Sequence, residues 1–259
     1  MKVGLFCGGL GLRLREYTEE VPKPMVPIGV RPVLWHVMKY YAHYGHKDFI
    51  LCLGYKGEVI KEYFLRYNEA LSNDFVLSDG GKIQLLRRDL EDWKITFVDT
   101  GQTSTIGQRL RAVEPYLRGE DVFMANYADG LTDLPLPEYL GYVQRQNKIA
   151  SFLCVKPSQT FHVVNLGDEG LVKNLEFAHD SDLWINGGYF VFKKDIFRYI
   201  KEGEELVLEP FQRLLKEQQL VAYRYRGFFA CMDTFREKQA FDRMVSSGNT
   251  PWQVWTTRT

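Results

Sequence analysis

The sequence has little that would tie it to a membrane, a disulfide frame or a polyanion. No apolar run in its 259 residues approaches the ~20 that a bilayer-spanning helix needs. The amino terminus, MKVGLFCGGLG, carries one lysine and a short apolar run that breaks into glycines, which makes a poor secretory signal. Only four cysteines occur, Cys7, Cys52, Cys154 and Cys231, far apart and without a CxxC pair. Three of them sit in apolar runs, the pattern of reduced, buried thiols in a cytoplasmic protein and not of a zinc site. Charge of one sign is also absent, since 33 Lys plus Arg balance 33 Asp plus Glu. That excludes the basic excess of a general nucleic-acid binder. No internal repeat, low-complexity segment or linker rich in Pro, Gly or Ser divides the chain.

What is present fits a globular protein. Hydrophobic residues make up 45% and charged residues 25% of the sequence, which excludes wholesale disorder. Short apolar runs alternate with helical patterns. Lys2 to Cys7, Phe49 to Leu53, Val122 to Asn126 and Ala150 to Val155 read as buried strands. Pro32 to Tyr44, Val59 to Tyr67 and Leu136 to Gln146 have helical spacing, with Tyr40, Tyr41 and Tyr44 as core or subunit contacts. Strands separated by helices imply βαβ units and a mainly parallel sheet covered on both faces. After about residue 160 the strands read as shorter and more polar, predicting a mixed or antiparallel portion that includes Gly188 to Phe192 and Leu220 to Arg224. A closing helix is expected over Thr234 to Val245. The apolar tail around Trp252 and Trp255 suggests packing against a neighbouring subunit.

The first chemical signal follows the first strand: Gly8-Gly9-Leu10-Gly11-Leu12-Arg13-Leu14, then Pro22-Lys23-Pro24. Glycines there let the backbone approach a ligand and aim N–H groups at phosphate oxygens. Arg13 adds a planar cationic fork and Lys23 a point charge. This is neither a Walker A loop nor a full GxGxxG fingerprint. The second signal is Tyr127-Ala128-Asp129-Gly130 at the end of a strand, where a carboxylate can hold Mg²⁺ against a phosphate. The third is Met232-Asp233-Thr234, where Asp233 makes a metal site only if the fold returns it to Asp129; a helix N-cap accounts for it equally. Asn186-Gly187-Gly188 suits either close approach to a sugar or a tight turn.

In this order the segments resemble the sugar-1-phosphate nucleotidylyltransferases, in particular the glucose-1-phosphate cytidylyltransferases. The likeness runs through GGLGLRLRE, VPKPMVPIGVRPVLWHVMKYYAHYGHKDFILCLGYKGEVIKEYF, WKITFVDTGQTSTIGQRL, YADG, WINGGYFVF, GFFACMDT and TPWQVW. It implies a Rossmann-like three-layer α/β/α domain over residues 1–259, with a mixed, mainly parallel central sheet. Residues up to about 150 would serve the nucleotide, about 151–235 the acceptor, and about 234–259 the closing helix and tail. The implied reaction joins an NTP, here CTP, to a phosphorylated acceptor with Mg²⁺ and releases pyrophosphate. A cytoplasmic homo-oligomer is implied, with no nucleic-acid or membrane partner.

Carried over by the resemblance, Gly8, Gly9, Gly11, Arg13, Lys23, Thr100, Gly101, Arg109 and Arg111 would bind the nucleotide. Arg13, Lys23 and Asp129 would be catalytic, and Asp129 with Asp233 would hold Mg²⁺. Tyr127, Asp129, Gly130, His162, Glu176, Asn186 and Gly187 would face the acceptor. Two departures stand out. Phe177 occupies the place of the family's sugar-phosphate lysine, in Asn174-Leu175-Glu176-Phe177-Ala178-His179, and His162 replaces a glycine. The acceptor therefore need not be glucose 1-phosphate, and another cation, His162, His179 or Arg226, could stand in for the lysine. Two other readings follow from the same residues: a non-catalytic nucleotide-binding homologue, motivated by Phe177, and a metal-dependent glycosyltransferase, hinted at by Asp180-Ser181-Asp182.

Overall fold

A first strand that is apolar on both faces must be covered on both. In the computed structural model, which describes residues 1–9, 21–90, 92–158 and 161–256, that strand is β1 (Val3–Phe6) and all four of its residues are buried. It lies inside a seven-stranded sheet with β2 (Asp48–Leu53), β3 (Lys94–Asp99), β4 (Val122–Asn126), β5 (Ala150–Val155), β6 (Ile185–Lys193) and β7 (Leu220–Arg224). The order across the sheet is β7-β5-β6-β4-β1-β2-β3. Every neighbouring pair is parallel except the two made by β6, which runs antiparallel to β4 and β5.

Alternate side chains leave opposite faces of a strand, and two separate cores result. Val3, Leu5, Phe49 and Leu51 enter one, where they meet α1 (Val33–His43), α2 (Gly57–Leu65), α4 (Leu136–Gln146) and α6 (Phe235–Ser246). Phe6, Ile50 and Cys52 enter the other, against α3 (Ile106–Val113) and α5 (Glu209–Lys216). The layers are helix, sheet, helix. Tyr40 and Tyr41 are fully buried core residues. All four cysteines are free; Cys7 and Cys52 are buried, Cys154 and Cys231 half-buried. Burial pushes the Cys52 thiol up to about 12, so it is a protonated packing group. Among the described residues no helix is long and apolar enough to cross a membrane.

In the later half one strand is longer and more buried than the sequence expectation. β6 has nine residues, starts at Ile185, and is buried from Gly187 to Phe192. It is central, so its aromatic run packs on both faces, Phe190 and Phe192 in one core and Tyr189 and Val191 in the other. Four two-stranded ribbons were not foreseen: Phe75–Ser78 with Lys82–Leu85, His162–Leu166 with Val172–Phe177, Gly130–Thr132 with Phe229–Cys231, and Pro27–Ile28 with Arg31–Pro32. The first two are largely solvent-exposed and so lack the apolar alternation that marks a half-buried strand.

The tryptophan tail folds back on its own chain. Trp252 is 1% exposed and packs edge-on against His36 and Phe241. Its indole Nε1–H donates to His36 Nδ1 at 3.3 Å, while His36 Nε2 lies 3.1 Å from the Ile28 carbonyl oxygen. A neutral imidazole with its proton on Nε2 satisfies both contacts; a second proton would face the indole N–H. Burial accordingly lowers the His36 pKa from 6.5 to about 4. Because the unfolded chain takes up this proton first, stability is full above pH ~6.5 and is lost as pH falls toward 4, by about 3 kcal/mol. Urea melts at pH 7.5 and 4.5 check this, with His36→Gln expected to flatten the difference.

Candidate functional site

Because six of the seven strands are parallel, the carboxyl ends of β1, β2, β3, β4, β5 and β7 share one edge with the amino end of β6. Open α/β sheets bind ligands along that edge. At β1 it carries Cys7 and Gly8, with Cys7 N–H bonded to the Cys52 carbonyl at 3.0 Å. Gly8 is buried and Gly9 exposed. Gly11 and Arg13 lie outside the described residues.

One arginine organises the β1–β2–β3 end of this edge. Arg109, on α3 and only 2% exposed, donates to the carbonyls of Gly8 (2.9 Å), Leu53 (3.1 Å), Gly101 (2.8 Å) and Gln102 (3.3 Å) and to Thr100 Oγ1 (2.7 Å). Thr100 Oγ1 itself donates to Leu53 O at 2.7 Å. The guanidinium thus ties together the loops that follow three strands. A Cβ at Gly8 would sit 2.0 Å from Arg109 Nη1, and one at Gly54 2.7 Å from the same atom and 2.8 Å from Gly8 O. Glycine is required at both because the clamp fills the space. Sequence reading grouped Arg109 with the nucleotide ligands; the structure shows it bracing the loops that would carry them. Arg111, two residues on, is exposed, bonding Glu114 Oε2 at 3.1 Å and the Ile200 carbonyl at 3.2 Å. Its described contacts include none of the other site residues.

At the end of β4 the chain turns sharply to present Asp129. Asn126 Oδ1 accepts from Ala128 N–H at 2.7 Å, and Ala128 is held fully buried at φ +62°, a left-handed conformation unusual for a residue with a Cβ. The turn feeds the ribbon in which Gly130 pairs with Cys231, and Met232 N–H bonds the Asp129 carbonyl at 3.0 Å. This ladder brings Asp233 beside Asp129. Behind Asp233, Thr234 caps α6 and Glu237 Oε2 accepts from the Asp233 and Thr234 N–H groups at 2.7 and 2.9 Å. Asp233 is thus fixed by the helix start without serving as its cap.

Lys23 completes the group. Pro24 and Met25 are buried in a single 3-10 turn, closed by Met25 N–H on the Pro22 carbonyl at 2.7 Å, so the lysine stem is anchored. Its Nζ lies 2.5 Å from Asp129 Oδ2 and 2.5 Å from Asp233 Oδ1. Burial alone would lower the Lys23 pKa, but the two carboxylates raise it above the ordinary lysine value. Burial raises Asp129 above the usual carboxylate range, and Lys23 opposes that shift. The ammonium is therefore the counter-ion that lets two acidic groups sit together in a partly desolvated cleft. Two carboxylate oxygens converging on one point form a donor set for a hard divalent cation. Cys231 and Glu237 also lie near Asp233, with ligand atoms mutually within 4.8 Å. However, Glu237 is engaged in the cap, and burial followed by Asp233 keeps the Cys231 thiol protonated.

The acceptor candidates divide into two places. Tyr127, Gly130, Asn186 and Gly187 meet at the β4–β6 edge. Tyr127 lies against Gly188, where a Cβ would sit 2.4 Å from its ring Cδ2, and Asn186 Oδ1 accepts from Gly188 N–H at 2.9 Å. Cβ atoms at Gly130 and Gly187 would both press on the Phe229 ring, at 3.2 and 3.4 Å. His162 and Glu176 lie instead on the exposed ribbon. His162 stacks on Phe177 across it, ring centroids 4.3 Å apart, while Glu176 pairs with Val163 and accepts from Asn174. None of their described hydrogen bonds or ion pairs joins them to the Lys23 group. Asp180 and Asp182 lie exposed in the turn that follows this ribbon.

A family model described as "Nucleotidyl transferase" matches residues 5–238 of the chain. A protein of Bacillus subtilis (strain 168) named "Probable glucose-1-phosphate cytidylyltransferase" is 37% identical over 257 residues, covering 98% of this chain and 100% of that protein. The "Glucose-1-phosphate cytidylyltransferase" of Salmonella typhi is 35% identical with the same coverage. Among solved structures, a UDP-glucose pyrophosphorylase complexed with UDP-glucose superposes with a TM-score of 0.71 over 95% of this chain and 98% of that one. At 16% identity the last match speaks for the fold alone.

Proposed function

The chain belongs to the nucleotidyl transferase family, among the sugar-1-phosphate nucleotidyltransferases, and we propose that it transfers CMP from CTP to a phosphorylated acceptor with Mg²⁺, releasing pyrophosphate. The observation that carries this reading is Lys23 held between Asp129 and Asp233 at the ligand-binding edge of the sheet. The choice of CTP rests on the two cytidylyltransferase relatives. A cytoplasmic enzyme, working as a homo-oligomer without nucleic-acid or membrane partners, completes the proposal.

The chemistry asks little of general acid–base groups. An anionic phosphate oxygen of the acceptor bonds to the α-phosphorus as the α–β bridging bond breaks, and pyrophosphate leaves with that electron pair; no proton moves. Positioning and charge neutralisation suffice. Asp129 and Asp233 would hold Mg²⁺, which when bound draws charge from the phosphate oxygens. With those oxygens given to the ion, the anchored Lys23 ammonium would be available to neutralise a phosphate. The Gly8–Gly9 backbone, braced by Arg109, allows the nucleotide close approach.

Competition between ammonium and metal has a readout without turnover. Lys23→Met should melt several degrees below the parent protein in EDTA, because two carboxylates lose their counter-ion. It should also gain more thermal stability from Mg²⁺ than the parent does. Equal Mg²⁺ increments in the two proteins would separate Lys23 from the metal position.

The direct test is pyrophosphate release, with CTP, UTP, dTTP, GTP and ATP each paired with hexose, heptose and non-sugar phosphates. CTP is expected to lead, and absence of turnover with every pair would sink the proposal. A second reading, a nucleotide-binding homologue without activity, is favoured by one observation: Phe177, 52% exposed against His162, puts no cation at the acceptor lysine's place. Calorimetry showing CTP binding without turnover would select it.

A further inference from the structure

The cation missing at position 177 directs attention to the far end of the same sheet edge. β5 ends at Val155, β6 begins at Ile185, and these two residues pair; Cys154 pairs with both Asn186 and Arg224. The residues just beyond the paired ends, Lys156 and Trp184, therefore meet, with Arg224 beside them and Arg226 two residues on. Around the Trp184 ring stand Lys156 Nζ at 4.6 Å, Arg226 at 5.2 Å and Arg224 at 5.5 Å. Lys156 also donates to the Ser181 carbonyl. None of the ion pairs among the described residues involves any of the three.

The same molecule contains a structural version of this arrangement for contrast. Arg31 and Lys39 lie 5.1 and 5.7 Å from the Trp35 ring, and both are ion-paired to Asp89, at 2.9 and 3.0 Å. There the protein supplies the anion. At Trp184 three positive groups converge on one ring, and two of them, Arg224 and Arg226, are exposed. Attraction of cations to an indole face does not cancel their mutual repulsion. An anion from outside would find several charge-assisted donors there and relieve that repulsion.

Its position says which part of a ligand it meets. Asp129 follows β4, whereas the cluster follows β5 and β7, two and three strands away on the side opposite the Gly8 loop. At ~4.8 Å per strand that is roughly 10–14 Å. On the reading that Asp129 and Asp233 mark the reacting phosphate, the cluster faces the acceptor's other end, a hexose length away. We propose that Lys156, Arg224 and Arg226, gathered on Trp184, are a specificity subsite, and that the acceptor carries a second anionic group there, a carboxylate or a phosphate, besides the phosphate that attacks. The altered lysine position and this cluster then belong to one change: anion recognition on the acceptor side has moved outward.

The test is calorimetric binding to the full chain, without nucleotide, of glucose 1-phosphate, glucose 1,6-bisphosphate and glucuronic acid 1-phosphate. At least one doubly anionic compound should bind about tenfold or more tighter than glucose 1-phosphate, and the better of the two identifies phosphate or carboxylate as the group read. In Arg224→Gln/Arg226→Gln that preference should vanish while glucose 1-phosphate affinity stays within about twofold. Equal affinity for all three compounds, or no binding of either doubly anionic one, overturns the proposal. So does a double variant that loses glucose 1-phosphate in equal measure, since the cluster would then hold the reacting phosphate. A parent protein that shows the preference but fails to bind CTP would defeat the nucleotidyl-transfer reading and leave this subsite standing.

Discussion

Asp129→Asn is expected to lower nucleotidyl transfer by about 10³-fold or more while the protein stays folded. The substitution keeps the shape of the side chain and all the backbone features that place it: the left-handed Ala128, the Asn126–Ala128 bond and the Met232 N–H on the Asp129 carbonyl. What it removes is one of two carboxylates around Lys23. An amide is a weak ligand for a hard cation, and Lys23 would be left biased toward Asp233. Stability should change little, because the charge lost is one whose burial already raises its pKa. Rate measurements beside a thermal melt check both halves. Activity within tenfold of the parent would remove Asp129 from the reaction centre.

Arg109→Met should cost about 3–5 kcal/mol of stability, and roughly 10 °C or more in melting temperature. Methionine fills a similar volume but donates nothing. Four backbone carbonyls and the Thr100 hydroxyl lose their shared donor at a site where Arg109 is 2% exposed. Leu53 O keeps the Thr100 N–H and hydroxyl as donors and Gly8 O keeps the Tyr55 N–H, so the cost comes mainly from the lost charge-assisted bonds and the loosened loops. The Gly8, Gly54 and Gly101 loops would also lose their common brace, so nucleotide affinity should fall with stability. Arg109→Lys, with three donors in place of five, should lie between the two. Urea unfolding gives the stability, and calorimetry with CTP the affinity. If binding weakens while stability is unchanged, Arg109 contacts the nucleotide and is no clamp.

The parts of the fold that were legible in the sequence are those with a strong apolar period. Val122 to Asn126, Leu136 to Gln146 and Leu220 to Arg224 are the observed bounds of β4, α4 and β7. β3 was not read as a strand because it is the edge of the sheet and only Val98 within it is buried. The site was legible as residue types but not as connections. Asp129 and Asp233 are suspicious as strand-end and helix-start carboxylates, yet the two-stranded ribbon of Gly130–Thr132 with Phe229–Cys231 is what joins them, and three-residue strands leave no periodic trace. Asn126 reads as the last residue of a strand, and nothing local shows that its side chain shapes the next turn. The cation cluster was not legible as a cluster because Lys156, Trp184, Arg224 and Arg226 come from three strands and meet only through register. Phe177 and His162 were the local hints that acceptor recognition had changed, and Arg226 was one of the cations the sequence offered in compensation.

The most direct measurement follows one oxygen through the reaction. With CTP, Mg²⁺ and an acceptor whose phosphate oxygens are labelled with oxygen-18, phosphorus NMR and mass spectrometry of the product locate the label. If the acceptor phosphate attacks the α-phosphorus at the Lys23–Asp129–Asp233 centre, labelled oxygen bridges the two phosphorus atoms of a CDP-linked product, and the pyrophosphate is unlabelled. Free CMP or CDP, label in the pyrophosphate, or no product from any phosphorylated acceptor would contradict nucleotidyl transfer at this site.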